Sequence, residues 1–372
     1  MNVVVVGSGV VGAAIAYRVA EAGARVLVLD AGLPGCGTSG ASFACLNAFE
    51  KTPRDYFDLN VAGMAEHNRL LDELAPVGGA WLHQTGGLHW ANTDVAQATL
   101  TSTGERLVGW GYPAEWLTPA QVCRELEPGL QLPSDQRDIL FTPTEGWVDV
   151  LPLIDALLHA ATQHGAEVRP LTRVVGIDTL GGTVQSVRLE EGERIAAEVV
   201  VDCAGPLADE IADLAGLRVP LDRIPGLLAI SAPLTNGPRR VCRAQEVHFR
   251  PDGGGRIMVG EEYPDEHISV GSRAKSAAEL LAWAAAYLPS LRSGQLEATR
   301  IGVRPMPRDG YPMVGFLPGI EGLYLAVAHS GVTLAPFLAR VSAAEIVSHR
   351  SDARLSAYRP GRFARTVHWR IR

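Results

Sequence analysis

Val3-Val4-Val5-Val6 is a continuous β-branched run ended by glycine, the pattern of a strand buried on both faces. Gly7-Ser8-Gly9-Val10-Val11-Gly12 follows. Beyond it Val11, Ile15, Val19 and Ala22 return at i, i+4, i+8 and i+11, one face of a helix that Gly23 stops. Arg25–Leu29 predicts the next strand, which runs into Asp30. A loop of small residues at Gly35–Ser42 precedes an amphipathic helix traced by Phe57, Val61, Met64, Leu71 and Leu74. From 75 to 145 the chain reads as irregular, rich in Gly, Pro and Trp, apart from a short helix near Pro119–Leu126. Pro152–His164 predicts a helix, with Pro near its start and Gly165 just past its end. Strands are expected at Arg173–Thr179, Val184–Leu189 and Arg194–Ala196, with a turn at Glu191-Gly192. Val199–Asp202 repeats the buried-strand pattern and leads through Cys203-Ala204-Gly205-Pro206 into a helix ending near Leu214. Two more strands, Val247–Arg250 and Ile257–Val259, flank a turn at Asp252–Gly255. A helix over Ala277–Leu288, a strand at Leu323–Val327 and a helix over Thr333–Ser348 complete the reading.

The stretch from Val3 to Asp30 joins strand, glycine-rich turn, helix, strand and terminal acid in the order of a dinucleotide-binding unit. Gly7 permits the tight turn, Gly9 lets a pyrophosphate approach the backbone, and Gly12 lets helix and strand pack closely. The helix opening at Val10 and Val11 supplies free N–H groups and a favourable dipole to phosphates. Asp30, with Ala31 beside it, can accept both ribose hydroxyls of an adenosine, which argues for NAD or FAD over NADP. The return of the buried-strand pattern at Val199–Asp202 brings the chain back to the same sheet. A chain of 372 residues exceeds a single core, so two domains interleaved in sequence are expected.

Composition narrows the partners. The net charge of −8 argues against a broad nucleic-acid surface. The five cysteines form no CxxC pair, so neither a zinc site nor a disulfide framework is expected, and reduced thiols in a cytoplasmic setting fit better. No metal site and no integral membrane segment is anticipated, since no run of about 18 apolar residues lacks a charge. The apolar start lacks a basic region and is broken by glycine, unlike a signal peptide.

Four blocks together resemble the D-amino-acid-oxidase superfamily of flavoproteins, closest to the glycine oxidase and sarcosine oxidase branch. They are GSGVVGAAIAYRVAEAGARVLVLD with GTSGAS, VVDCAGPLADEIADLAG, RIGVRPMPRDGYPMVGFLPGIEGLYLAVAHSGVTLAP, and the closing LSAYRPGRF. The resemblance implies an α/β fold: a Rossmann-type FAD-binding domain interleaved with an α+β substrate domain built on a mostly antiparallel sheet. The FAD-binding domain would take 1–47, 145–222 and 300–372, and the substrate-binding domain 48–144 and 223–299. It implies FAD on Gly7, Gly9, Gly12 and Asp30, with Thr38, Ser39 and Ser42 by the pyrophosphate and isoalloxazine. Val174 would contact adenine through its backbone, and Ala204-Gly205 would lie near the phosphates. Gly331, Val332, Thr333 and Leu334 would face the pyrimidine edge of the flavin. A helix opening near Thr333 would point its positive end at the place where reduced flavin carries negative charge. No cysteine stands near Met306, where sarcosine oxidases attach their flavin, so FAD is expected to be non-covalent. Met258 occupies the place of a sarcosine oxidase lysine that assists reaction with oxygen.

On the substrate side the resemblance assigns Arg304 to a bidentate pair with a carboxylate, the geometry a planar guanidinium suits best; the alternative is a structural ion pair. His248 stands where glycine oxidases carry a tyrosine beside the substrate, or is a satisfied core histidine. Tyr263 would line the same pocket or point to solvent. His329 would position substrate or dioxygen, or cap its loop, and Asn47 would hydrogen-bond substrate. Trp81 and Trp147 read as core. No second basic carboxylate ligand is evident, so a single-arginine clamp is expected. The six arginines from Arg354 to Arg372 read as a solvated face or a contact with a partner subunit, and a homo-oligomer is allowed.

The activity implied is oxidation of a small amine or amino acid, with Cα–H hydride passing to flavin N5, the imine hydrolysed and oxygen giving H2O2. Two flavin-dependent alternatives stand beside it. One is a dehydrogenase of a D-amino acid or 2-hydroxy acid that passes electrons to a quinone or protein. The other is a non-catalytic flavin-binding subunit of a complex. An NAD-dependent oxidoreductase is the alternative that uses no flavin.

Overall fold

The structure, a computed structural model, describes residues 1–75, 81–261 and 276–363. Its first sheet has six strands in the order Met313–Phe316, Leu323–Val327, Val199–Asp202, Asn2–Val6, Arg25–Leu29 and Glu167–Arg169. All neighbours run parallel except the first pair. Both faces are covered, which is why these strands read as unbroken apolar runs. Val3, Val5, Val199 and Val201 pack under the helices Val10–Glu21, Val150–Gln163 and Gly331–Ser348. Val4, Val6 and Val200 face the antiparallel strands Val174–Leu180 and Thr183–Leu189 and the helix Ala208–Asp213. Gly331–Ser348 is apolar and 18 residues long because it is a core helix, packed against Val10–Glu21 and Arg54–Leu74.

The second large sheet has eight strands: Leu296–Pro307, Leu221–Ser231, Ile257–Glu261, Val247–Pro251, Val241–Arg243, Gly87–His89, Ile139–Thr142 and Glu115–Leu117. Every pairing is antiparallel except Val241–Arg243 with Gly87–His89. One face packs Ala229, Val247, Phe249 and Val259 against the helix Ala277–Ala285. The opposite face turns towards the dinucleotide sheet. Cys45–Leu46, Gly146–Val148 and Leu82–His83 form a small sheet beside that junction.

Three features depart from the reading of the sequence. The stretch from 75 to 145 is not irregular: it holds the helix Asp94–Gly109 and three strands of the large sheet. That helix buries Leu100, Thr103, Gly104 and Leu107, so two of its four core positions are too polar or too small to mark a stripe. The Gly331–Ser348 helix opens two residues earlier than Thr333. Residue 300, taken as a boundary, lies inside the strand Leu296–Pro307, which pairs with Leu221–Ser231 from end to end.

Candidate active site

The first strand ends in a turn where only glycine is accommodated. Gly7 has φ +105°, and a Cβ there would lie 2.4 Å from the Cys203 carbonyl oxygen; one on Gly12 would lie 2.0 Å from the Gly7 carbonyl oxygen. The helix opens at Gly9 with no acidic side chain in its first turn, and the Val10 N–H donates to Ser39 Oγ at 3.0 Å. The Asp30 carboxylate accepts from the Ser8 N–H and hydroxyl, both at 2.7 Å, and from the Gly32 N–H at 2.8 Å. A carboxylate has about four acceptor positions, so the protein aims Asp30 firmly and leaves little room for more than one ribose hydroxyl.

These residues edge a groove of about 580 Å³. Gly7, Gly9, Val10, Val11, Asp30, Ala31, Thr38, Ser39, Ser42, Val174, Ala204, Gly205, Gly331 and Val332 all line it. Gly12 does not, being the contact between helix and turn. Leu334 lines neither this groove nor its neighbour: its side chain is buried in the core and its N–H donates to the Ser330 carbonyl. Thr333 is buried, with its hydroxyl on the Cys45 carbonyl at 3.1 Å, and faces only the neighbouring cavity.

That second cavity, about 210 Å³, shares Thr38, Ser42, Pro305, His329 and Val332 with the groove, so the two open on one wall. Asn47, His248, Arg304 and His329 line it together, although they come from four separate segments of the chain. Sheet register explains the convergence. Arg304 stands on Leu296–Pro307 opposite Ile224; His248 stands on Val247–Pro251 between Gly260 and Arg243 on its two neighbours. A Cβ on Gly260 would lie 2.3 Å from His248 Nε2, so the missing side chain makes room for the imidazole. The His248 ring meets Phe43 edge-on at 4.0 Å. The Gly35–Ser42 loop is locked to the Arg304 strand: Thr38 Oγ1 donates to the Val303 carbonyl, and a Cβ on Gly302 would lie 2.6 Å from the Ala41 carbonyl oxygen. Tyr263 lies outside the described residues.

Arg304 shares the cavity wall with other cations. Arg243 and Lys51 line the cavity with Arg304, and Glu261 is the acidic residue among the described lining. Sequence spacing hid them because Lys51 follows a loop and Arg243 ends a three-residue strand. Only cross-strand pairing with His248 brings Arg243 in.

A buried carboxylate anchors the loop that carries Asn47 and Lys51. Glu145 Oε1 accepts from the Ala48 and Phe49 N–H groups, each at 2.8 Å, and from the Tyr112 hydroxyl at 3.1 Å. Its Oε2 accepts from the Thr142 hydroxyl at 3.0 Å and lies 3.6 Å from His89 Nε2. Burial pushes the carboxyl up, but His89, the Ala48 N–H and the Thr142 hydroxyl outweigh it and hold Glu145 below the usual range. The turn at Gly331-Val332 has its own support. His67 Nε2 lies 2.8 Å from the Val332 carbonyl, and complete burial lowers its pKa to about 4, so the ring is neutral and donates.

A family model described as FAD dependent oxidoreductase, DAO, matches residues 2–345. The chain is similar to a glycine oxidase of Geobacillus kaustophilus, 28% identical over 365 residues that cover 95% of this chain and 94% of the relative. The crystal structure of glycine oxidase from Geobacillus kaustophilus superposes with a TM-score of 0.86 at 26% identity, over 96% of this chain and 97% of that one. The crystal structure of L-proline dehydrogenase from P. horikoshii gives the same TM-score, 0.86, at 21% identity over 98% of each chain, a likeness of fold.

Proposed function

The chain belongs to the DAO family of FAD dependent oxidoreductases, and from that premise we propose that it oxidises a small amine or α-amino acid at the Cα–H bond, with dioxygen as acceptor and hydrogen peroxide as product. One observation carries the reading: Arg304, Asn47, His248 and His329 face a cavity that shares a wall with the dinucleotide groove. The glycine cradle and the acid-free helix start suit the cofactor. Gly7, Gly9 and the first turn of Val10–Glu21 would hold its phosphates, Asp30 its ribose, and the turn at Gly331-Val332 its far end. When bound, FAD supplies a two-electron acceptor.

The remaining work falls to side chains. Arg304 would take the substrate carboxylate on two parallel N–H···O bonds, orienting the Cα–H towards the shared wall. Only the neutral amine releases hydride readily. The positive charges of Arg304, Arg243 and Lys51 oppose the ammonium form, so they would help the substrate shed its proton on binding. Water then hydrolyses the imine. The glycine oxidase likeness supports an amino-acid substrate. Five free cysteines are in keeping with a cytoplasmic site of action.

A second reading, a dehydrogenase that passes electrons to a quinone or protein, is favoured by Met258. Met258 is fully buried at the place that the resemblance assigns to a sarcosine oxidase lysine, although glycine oxidases also manage without that lysine.

Anaerobic loss of the flavin's visible absorbance decides between them. The panel is glycine, sarcosine, D- and L-amino acids, imino acids and hydroxy acids. Bleaching by one amine class, colour returning in air and a rate rising with pH through an amine pKa are expected. Arg304→Leu should raise the apparent Kd for that substrate about 10- to 100-fold, the worth of a charge-assisted pair. Colour that stays bleached in air selects the dehydrogenase, and a panel without any bleaching overturns the amine reading.

A further inference from the structure

Glycine and sarcosine carry one carboxylate, which Arg304 alone can hold, yet the cavity is lined by three cations against one carboxylate among the described residues. The position of Arg243 is the informative one. Its strand lies four steps from that of Arg304 in the eight-stranded sheet, with Leu221–Ser231, Ile257–Glu261 and Val247–Pro251 between. At ~4.8 Å per strand, the two backbones stand roughly 19 Å apart along the sheet. Across the sheet Arg243 registers through His248, Gly260 and Leu228 with Arg300, four residues along the strand from Arg304, so a ligand that meets both arginines has to cross the His248 strand.

Arg243 is also held in place. Its guanidinium carbon sits 5.8 Å from the centre of the Phe49 ring, and that ring stacks on His89 at 3.7 Å with 16° between planes. The Phe49 backbone is pinned by Glu145. One guanidinium nitrogen lies 3.2 Å from Glu50, whose side chain is 42% exposed against 12% for Arg243. A half-exposed carboxylate is well screened by water. The arrangement is a held cation level with His248, on a strand four steps from that of Arg304.

We propose that the cavity takes an elongated, dianionic amino or imino acid: Arg304 holds the carboxylate beside the oxidised carbon, and Arg243 holds a second carboxylate at the far end. The proposal rests on the amine-oxidation reading and narrows its substrate class. Lys51, on the loop that Glu145 anchors, adds positive potential along the path.

The test uses the FAD-loaded enzyme and thioether analogues that cannot be oxidised at nitrogen. Binding of 5-(carboxymethylthio)pentanoate is compared by calorimetry with binding of (pentylthio)acetate, which has the same length and lacks the second carboxylate. The dianion should bind at least tenfold more tightly. Arg243→Gln should abolish that advantage and Arg243→Lys should keep part of it. Equal binding of the two analogues, or an advantage that survives in Arg243→Gln, overturns the proposal. Should Arg243→Gln fail to fold, the wild-type comparison and Arg243→Lys still decide. Anaerobic bleaching by sarcosine together with equal analogue binding would sink the dianion assignment and leave amine oxidation standing. Absence of bleaching by any amine would sink both.

Discussion

Two fully buried carboxylates show how donor supply decides the state of a side chain. Glu145 receives two backbone N–H bonds and two hydroxyls and is held below the usual carboxylate range. Asp202, at the end of the central strand Val199–Asp202, receives only the Ala204 N–H at 3.1 Å, on Oδ1; its Oδ2 is buried with no hydrogen-bond partner. Burial therefore raises its pKa well above the ordinary value, with Asp209 adding to the rise. The folded chain keeps a proton that the unfolded chain releases. Stability should thus fall with rising pH from the ordinary carboxyl range, near pH 4, up to the raised folded pKa, by about 1.4 kcal/mol per pH unit inside that window. Asp202→Asn keeps the acceptor for Ala204 and does not titrate. In urea denaturation from pH 5 to 9, the variant should gain on the wild type as pH rises. A constant difference would show that Asp202 is ionised in the fold.

Among the helices, the contact between Arg54–Leu74 and Gly331–Ser348 sets the geometry of the turn at Gly331-Val332. A Cβ on Gly63 would lie 2.4 Å from the Thr333 carbonyl oxygen and 3.2 Å from its carbon, both backbone atoms that cannot swing aside. One turn further on, His67 bonds the Val332 carbonyl from the same face. Alanine improves helix propensity by ~1 kcal/mol over glycine, but overpacking a tight contact costs about 1–3 kcal/mol. Gly63→Ala should therefore lose stability on balance. It should also weaken FAD retention, since the displaced turn carries Gly331 and Val332 into the groove. Denaturation midpoints and the FAD dissociation constant check both effects, and an unchanged dissociation constant would mean the turn moves without reshaping the groove.

For the molecule as a whole, the groove runs from the carboxyl ends of the first and second parallel strands to the wall it shares with the substrate cavity. Its lining comes from the Gly7 turn, the Gly35–Ser42 loop, Thr172–Val175, Cys203–Leu207 and Ala326–Val332. A ligand that binds only the folded state stabilises it by about 2.7 kcal/mol at a hundredfold excess over Kd. Stripping FAD should lower the thermal midpoint, and titrating FAD back should raise it progressively. Riboflavin should restore little, because it lacks the ADP half that Asp30 and the helix start would hold. A midpoint indifferent to FAD would place the stabilising core elsewhere.

Much of this was legible along the chain. The Val3–Asp30 unit, the return at Val199–Asp202 and the buried Gly331–Ser348 helix are patterns a few residues long, set by local sterics and by which faces are covered. A resemblance points to Arg304, His248, His329 and Asn47, and the fold brings them to one cavity. The helix Asp94–Gly109 shows no apolar stripe because threonine and glycine fill half of its core positions; its sequence mark is Thr93, whose side chain accepts from the Ala96 N–H as a cap. Arg243, Lys51 and Glu145 escaped for a different reason. Their roles depend on cross-strand register and on loop contacts between residues far apart in sequence, such as Glu145 with Ala48. A one-dimensional pattern carries the period of each strand but not which strand lies beside it. The glycine turn between Val3 and Asp30 is local and could be read directly; the charge lining the second cavity exists only once eight strands have been placed in order.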